Sequence, residues 1–67
     1  MRHLIKNKLP KEGKLVKVWC SDKDGNIGWG EYKIILRDGI TIEWYNRYNN
    51  IATELIDEWK PESWEEQ

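Results

Sequence analysis

The sequence predicts an all-β domain, a small antiparallel β-meander curled into an SH3-like half-barrel. Three observations carry that expectation. Residues 15–21 (LVKVWCS) and 40–46 (ITIEWYN) alternate between two faces with the period of a strand, and the run 27–36 (IGWGEYKIIL) lies between them. Asp24-Gly25 and Asp38-Gly39 fall in the gaps, where hairpins need residues that accept positive φ. No linker, repeat or low-complexity tract divides the 67 residues, so a single domain spans 1–67, with 1–8 and 62–67 expected as flexible ends.

The first strand places Val16, Val18 and Cys20 on one side and Leu15, Lys17 and Trp19 on the other. Two registers fit the hairpin that follows. One sets Trp19 opposite Trp29 and Lys17 opposite Glu31, and gathers Val16, Val18, Cys20, Tyr32, Ile34 and Leu36 on the far face. Each such cross-strand pair contributes roughly 0.2–1 kcal/mol. The other, a two-residue turn at Asp24-Gly25, would pair Cys20 with Trp29 instead. In the third strand Ile40, Ile42 and Trp44 oppose Thr41, Glu43 and Tyr45. The last third reads two ways. Ile51, Leu55 and Trp59 recur at helical spacing, and a short helix near 51–59 would make the class α+β; Leu55, Asp57 and Trp59 equally suit one face of a closing strand. Pro61 is expected to end either element, and the tail ESWEEQ to be frayed or docked only through Trp64.

A chain this short buries only about 60% of the surface its unfolded form exposes. Its five tryptophans and three tyrosines must therefore do much of the covering, since the chain has no phenylalanine. The net charge of −1 gives no bulk attraction to nucleic acid, yet the charges are segregated. Residues 1–17 carry Arg2, Lys6, Lys8, Lys11, Lys14 and Lys17 against Glu12, a net +5. Residues 54–67 carry Glu54, Asp57, Glu58, Glu62, Glu65 and Glu66 against Lys60, a net −5. Either the two ends attract in the fold, or one of them serves a charged partner. The one cysteine rules out an internal disulfide, the N-terminus lacks the apolar core of a leader, and no run suits a membrane span. The expected location is cytoplasmic.

Residues 20–31 (CSDKDGNIGWGE) resemble a calcium loop, with Asp22, Asp24, Gly25 and Glu31 at fitting positions. The first position, however, is Cys20, a soft thiol unsuited to a hard cation, and both flanks are strand-like where helices are required. The stretch is read as a hairpin. Other chemistry is missing too. The lone His3 has no nucleophile spaced to meet it, one Cys and one His do not make a zinc site, and no glycine-rich loop opens a helix. Cys20 alternates with Val16 and Val18, as a small core residue does. The reading is therefore of a protein that is not an enzyme, with no metal and no cofactor.

The aromatic side chains are more than one small core needs. Trp19, Trp29, Trp44, Tyr45, Tyr48, Trp59 and Trp64, with Lys17 and Lys33, are the candidate binding surface. Trp19 and Trp29 lead, because they share the face away from Val16, Val18 and Cys20. Such a surface could grip a protein partner, stack bases of a single strand, or join two copies of the chain.

Leu9-Pro10-Lys11-Glu12-Gly13-Lys14 followed by Val16-Lys17-Val18, the segment Gly28-Trp29-Gly30-Glu31-Tyr32, and the ending Glu58-Trp59-Lys60-Pro61 have a further meaning. Together they resemble the family of short bacterial and phage proteins catalogued as domain of unknown function 551, over roughly Leu4 to Pro61. The chain departs from that pattern where the family has an N-terminal tryptophan, and at Glu58, where histidine is common. The resemblance implies a meander of strands, a strand over 54–60 and a phage or prophage origin; it implies no catalytic residue. The expected function is a non-enzymatic interaction module that binds a host or phage protein, one version being an inhibitor of a host defence complex whose acidic tail mimics nucleic acid. The alternatives are a single-stranded nucleic-acid binder that adds phosphate contacts from Lys6, Lys8, Lys11 and Lys14, and a self-associating homodimer.

Overall fold

The computed structural model describes residues 1–67, an antiparallel sheet of five strands with one short helix. The strands are β1 (His3–Leu4), β2 (Val16–Ser21), β3 (Ile27–Arg37), β4 (Thr41–Asn46) and β5 (Lys60–Glu65), and α1 is Glu54–Asp57. Their order across the sheet is β1-β5-β2-β3-β4. The expected meander is present as β2-β3-β4. In its first hairpin Trp19 lies opposite Trp29, Lys17 opposite Glu31 and Val16 opposite Tyr32. The long β3 is shared: residues 27–32 pair with β2 and residues 32–37 pair with β4, so β4 is stepped along the sheet relative to β2.

The turn chemistry explains why the wider register wins. Asp22 and Asn26 close a five-residue turn in which Asp22 N–H donates to Asn26 O (3.0 Å) and Gly25 N–H to Asp22 O (3.1 Å). The Asp22 carboxylate accepts from the N–H groups of Asp24 and Asn26 and from Asn26 Nδ2, at 2.8–3.0 Å. Gly25 takes φ 84°, which a residue with a Cβ resists. The same device recurs at Asn46–Asn50. Asn46 N–H donates to Asn50 O, Asn46 Oδ1 accepts from Tyr48 and Asn50, and Asn49 takes the positive φ of 65°. The second hairpin is tighter, with positive φ at both Asp38 and Gly39.

The core lies on one face of the sheet. Val16, Val18, Cys20, Ile34 and Trp64 are buried there, with Ala52 and Leu55 laid over them by the segment that carries α1. A second cover comes from residues 5–15. Pro10 is buried, Trp64 Nε1 donates to Lys8 O (2.7 Å), and Gly13 N–H donates to Ile34 O (2.9 Å).

Three expectations need correction. The tail is not frayed: residues 62–65 belong to β5, which lies between β1 and β2. Pro61 does not end an element but sits inside β5. A proline costs little there, because β1 reaches only Ser63 and Trp64, and the register shifts between Trp19 and Cys20 where Pro61 pairs. The segment 54–60 is not one strand: Glu54–Asp57 is helical and the strand begins at Lys60. The helix stops because Trp59 N–H reaches back to Glu54 O (2.8 Å). The two oppositely charged ends do adjoin, with β1 on β5, Lys14 Nζ 3.3 Å from Glu66 and the N-terminal ammonium 3.8 Å from Glu65.

Candidate interaction surface

The face opposite the core has no chain segment over it. The two-residue period of each strand sets its membership: Lys17 and Trp19 from β2, Trp29, Glu31 and Lys33 from β3, Tyr45 from β4, Ser63 and Glu65 from β5. Five of the sequence-predicted residues therefore meet here: Lys17, Trp19, Trp29, Lys33 and Tyr45. Trp29 is 63% exposed and Trp19 is half-buried.

The two indoles meet through a cation. The Lys17 ammonium lies 4.8 Å from the Trp19 ring centre and 4.4 Å from that of Trp29. Arg2 covers Trp19 from the β1 side at 4.1 Å, held in place by its Nε donating to Ser63 Oγ (3.1 Å). Each contact contributes roughly 0.5–1 kcal/mol at an exposed site. The expected Lys17–Glu31 ion pair gives way to this arrangement. Glu31 is taken instead by Arg47 (3.7 Å) and by Gln67 Nε2 (2.6 Å). Glu43 is likewise 3.7 Å from Arg37. Lys33 Nζ donates to Asn49 Oδ1. Arg37 and Arg47 are thus paired with acids of this face, whereas Arg2, Lys17 and Lys33 have no carboxylate partner.

The other candidates lie elsewhere. Trp64 is a core residue, 2% exposed, paired with Val18 and stacked on His3 at 4.6 Å. Trp44 and Trp59 are partly buried and pack against the core cluster; the Trp59 ring lies on Gly28, where a Cβ would sit 3.4 Å from it. Tyr48 is exposed in the turn after β4 with the Arg47 guanidinium 4.9 Å over its ring. Among the other lysines, Lys8 is tied by its carbonyl to the core residue Trp64, Lys14 Nζ lies 3.3 Å from Glu66, and Lys6 lies beside Leu4, Lys60 and Pro61. Sequence reasoning missed Arg2, Arg47 and Ser63. No local signal marks them, because Arg2 and Ser63 meet only through the β1–β5 pairing.

Cys20, Gly28, Tyr32, Glu54 and Trp59, with Trp29 at its margin, line a cleft of about 230 Å³. Burial, aided by the negative charges of Glu54 and Glu62, pushes the Cys20 thiol up to about 11, which keeps it protonated. Tyr32 is raised as well, chiefly by burial and then by its hydroxyl donating to Glu54 Oε2 (2.9 Å). A protonated thiol is a poor nucleophile, and the group packs as a small hydrophobe. At the hairpin end, the Asp22 carboxyl is lowered by its hydrogen bonds, the Asn26 side chain first. Its oxygens are spent on the turn, and the flanks of the calcium-like stretch are β2 and β3. No helix is long and apolar enough to cross a membrane.

No protein-family model, curated protein or solved structure matches the chain.

Proposed function

We propose that the chain is a non-enzymatic protein-interaction module of phage or prophage type that engages its partner through the open sheet face. The observation that carries this reading is Trp29, a large side chain 63% exposed beside the cation-backed ring of Trp19, with Glu31 and Glu43 of the same face held by Arg47 and Arg37. Tryptophan and arginine make the anchor of a protein interface, where apolar area supplies the energy and the polar rim excludes water. A polyanion is favoured less. Trp19 is covered by Arg2 on one side, Lys17 already lies against both rings, and Lys14 is paired with Glu66.

In the version where the partner is a host defence complex, the acids of residues 54–67 imitate a phosphate array. Deleting the tail would remove Trp64 from the core, so the informative change is Glu62→Gln with Glu66→Gln. That pair weakens capture if the acids are read and leaves it unchanged if they are not.

The deciding experiment is affinity capture from a bacterial lysate, with and without nuclease, for the wild type beside Trp29→Ala. A protein that survives nuclease and is lost in the variant supports the reading. Nucleic acid that elutes with salt would replace it by the single-strand binder.

A further inference from the structure

The two edges of the sheet are built differently. β1 closes one edge with only His3 and Leu4 and runs into Lys6 and Lys8. A short strand followed by lysines discourages pairing with another chain. β4 closes the other edge, and its own chain covers only its last half: Ala52 N–H donates to Trp44 O (2.9 Å), Tyr45 bridges to Ile51, and Asn46 N–H donates to Asn50 O. The first half, Thr41–Glu43, is open. Trp44 O points outward, so the alternation of an antiparallel ladder turns the N–H and C=O of Ile42 outward too. Neither lysine nor proline occurs between Ile40 and Asn46.

Beside this open edge the apolar face continues past its cover. Ile40 is 81% exposed, Ile42 37%, Ile51 49% and Ile56 72%. Ile42, Ile51 and Ile56 rim a groove of about 240 Å³ with Trp44 and Leu55. The four isoleucines expose on the order of 400 Å², so two copies would cover on the order of 800 Å² with these side chains alone, before the strands themselves are counted toward the usual size of a specific interface. Glu43, the one acid that lines the groove, is held by Arg37 at 3.7 Å, and the chain's net charge of −1 gives two copies little cause to repel.

We infer that β4 is a self-association edge. A second copy of this chain pairs antiparallel to it about Ile42, and the isoleucines of the two copies cover one another across the seam. A two-fold axis sets Ile42 against Ile42 of the other copy, and the contact closes on itself. The Trp19–Trp29 face stays open in the pair, so this inference stands apart from the proposed function.

Sedimentation equilibrium from micromolar to millimolar chain concentration tests it. The mass rises from 8.1 kDa toward twice that value in the wild type. Ile42→Asp and, separately, the mostly exposed Ile40→Lys weaken association at least tenfold with an unchanged circular dichroism spectrum, while Trp29→Ala associates as the wild type does. A monomer at millimolar concentration overturns the inference. So does a dimer that persists in both isoleucine variants, one that is lost in Trp29→Ala, or growth beyond a pair.

Discussion

One face of the sheet is covered by the chain's own segments and the other by its own side chains. On the first, residues 5–15 and 50–59 lay Pro10, Ala52 and Leu55 over Val16, Val18, Cys20 and Trp64, and water is excluded. On the second, Arg2 and Lys17 lie across Trp19 and Trp29 in water, and Glu31 is engaged by Arg47 and Gln67. The same residue type therefore does two jobs in one chain. Trp64 contributes buried area and one hydrogen bond to a backbone carbonyl, and loses both when truncated. Trp29 contributes little to the fold and keeps its surface available. In a domain this small the first face must hold nearly all the stability, which leaves the second free to change.

Four substitutions or conditions sharpen that contrast, and an inverted ranking would break it. Trp64→Ala should cost about 3–5 kcal/mol, comparable to the whole stability of such a domain, so its circular dichroism spectrum should be that of an unfolded chain. Gly30→Ala comes next. A Cβ there would stand 2.8 Å from the Tyr32 ring and push it off its bond to Glu54, a loss of about 1–3 kcal/mol readable as a lower urea midpoint. Trp29→Ala should shift that midpoint by less than about 1 kcal/mol, the value of one cross-strand pair, while abolishing partner capture. The smallest effect is one of pH. Asp22 has a folded-state value below its unfolded 3.8, so its contribution is present above that pH and is lost as the pH falls through the folded value. Asp22→Asn, which keeps an acceptor for the backbone N–H groups but loses the one for Asn26 Nδ2, should flatten that acid limb of the melting-temperature profile by lowering the neutral value slightly.

The meander was legible because its information is local. Val16, Val18 and Cys20 alternate within six residues, Asp-Gly punctuates both ends of β3, and one register satisfied the aromatic pair and the apolar face at once. The Lys17–Glu31 pair failed because a nearby indole competes well with a solvated carboxylate for an ammonium. β5 was not legible. KPESWE has a proline, a serine and two acids, and becomes a strand only because β1 and β2 flank it. The turn at 46–50 was missed as well, since asparagine at the left-handed position gives a weaker signal than the glycine of its twin. Of the candidate surface, the β2 and β3 members followed from alternation. Trp44 and Trp64 went to the other face, Trp64 through its pairing with His3 and Val18, and Trp59 lies there from the link between α1 and β5.

The placement of β5 has a bearing on how the protein is made. Of the five strands it is synthesised last, yet it sits second across the sheet and carries Trp64 into the core. While residues 60–65 remain in the ribosomal tunnel, β1 has nothing to pair with and β2 has a bare edge beside Val16, Val18 and Cys20. The nascent chain is then at most a three-stranded meander with its apolar side uncovered, and the distant pairing that rescues it comes with the slowest kind of loop closure. The meander stage, with the apolar side of β2 open until β5 docks, is therefore the most aggregation-prone point of assembly, and a pause just upstream of Lys60 would prolong it.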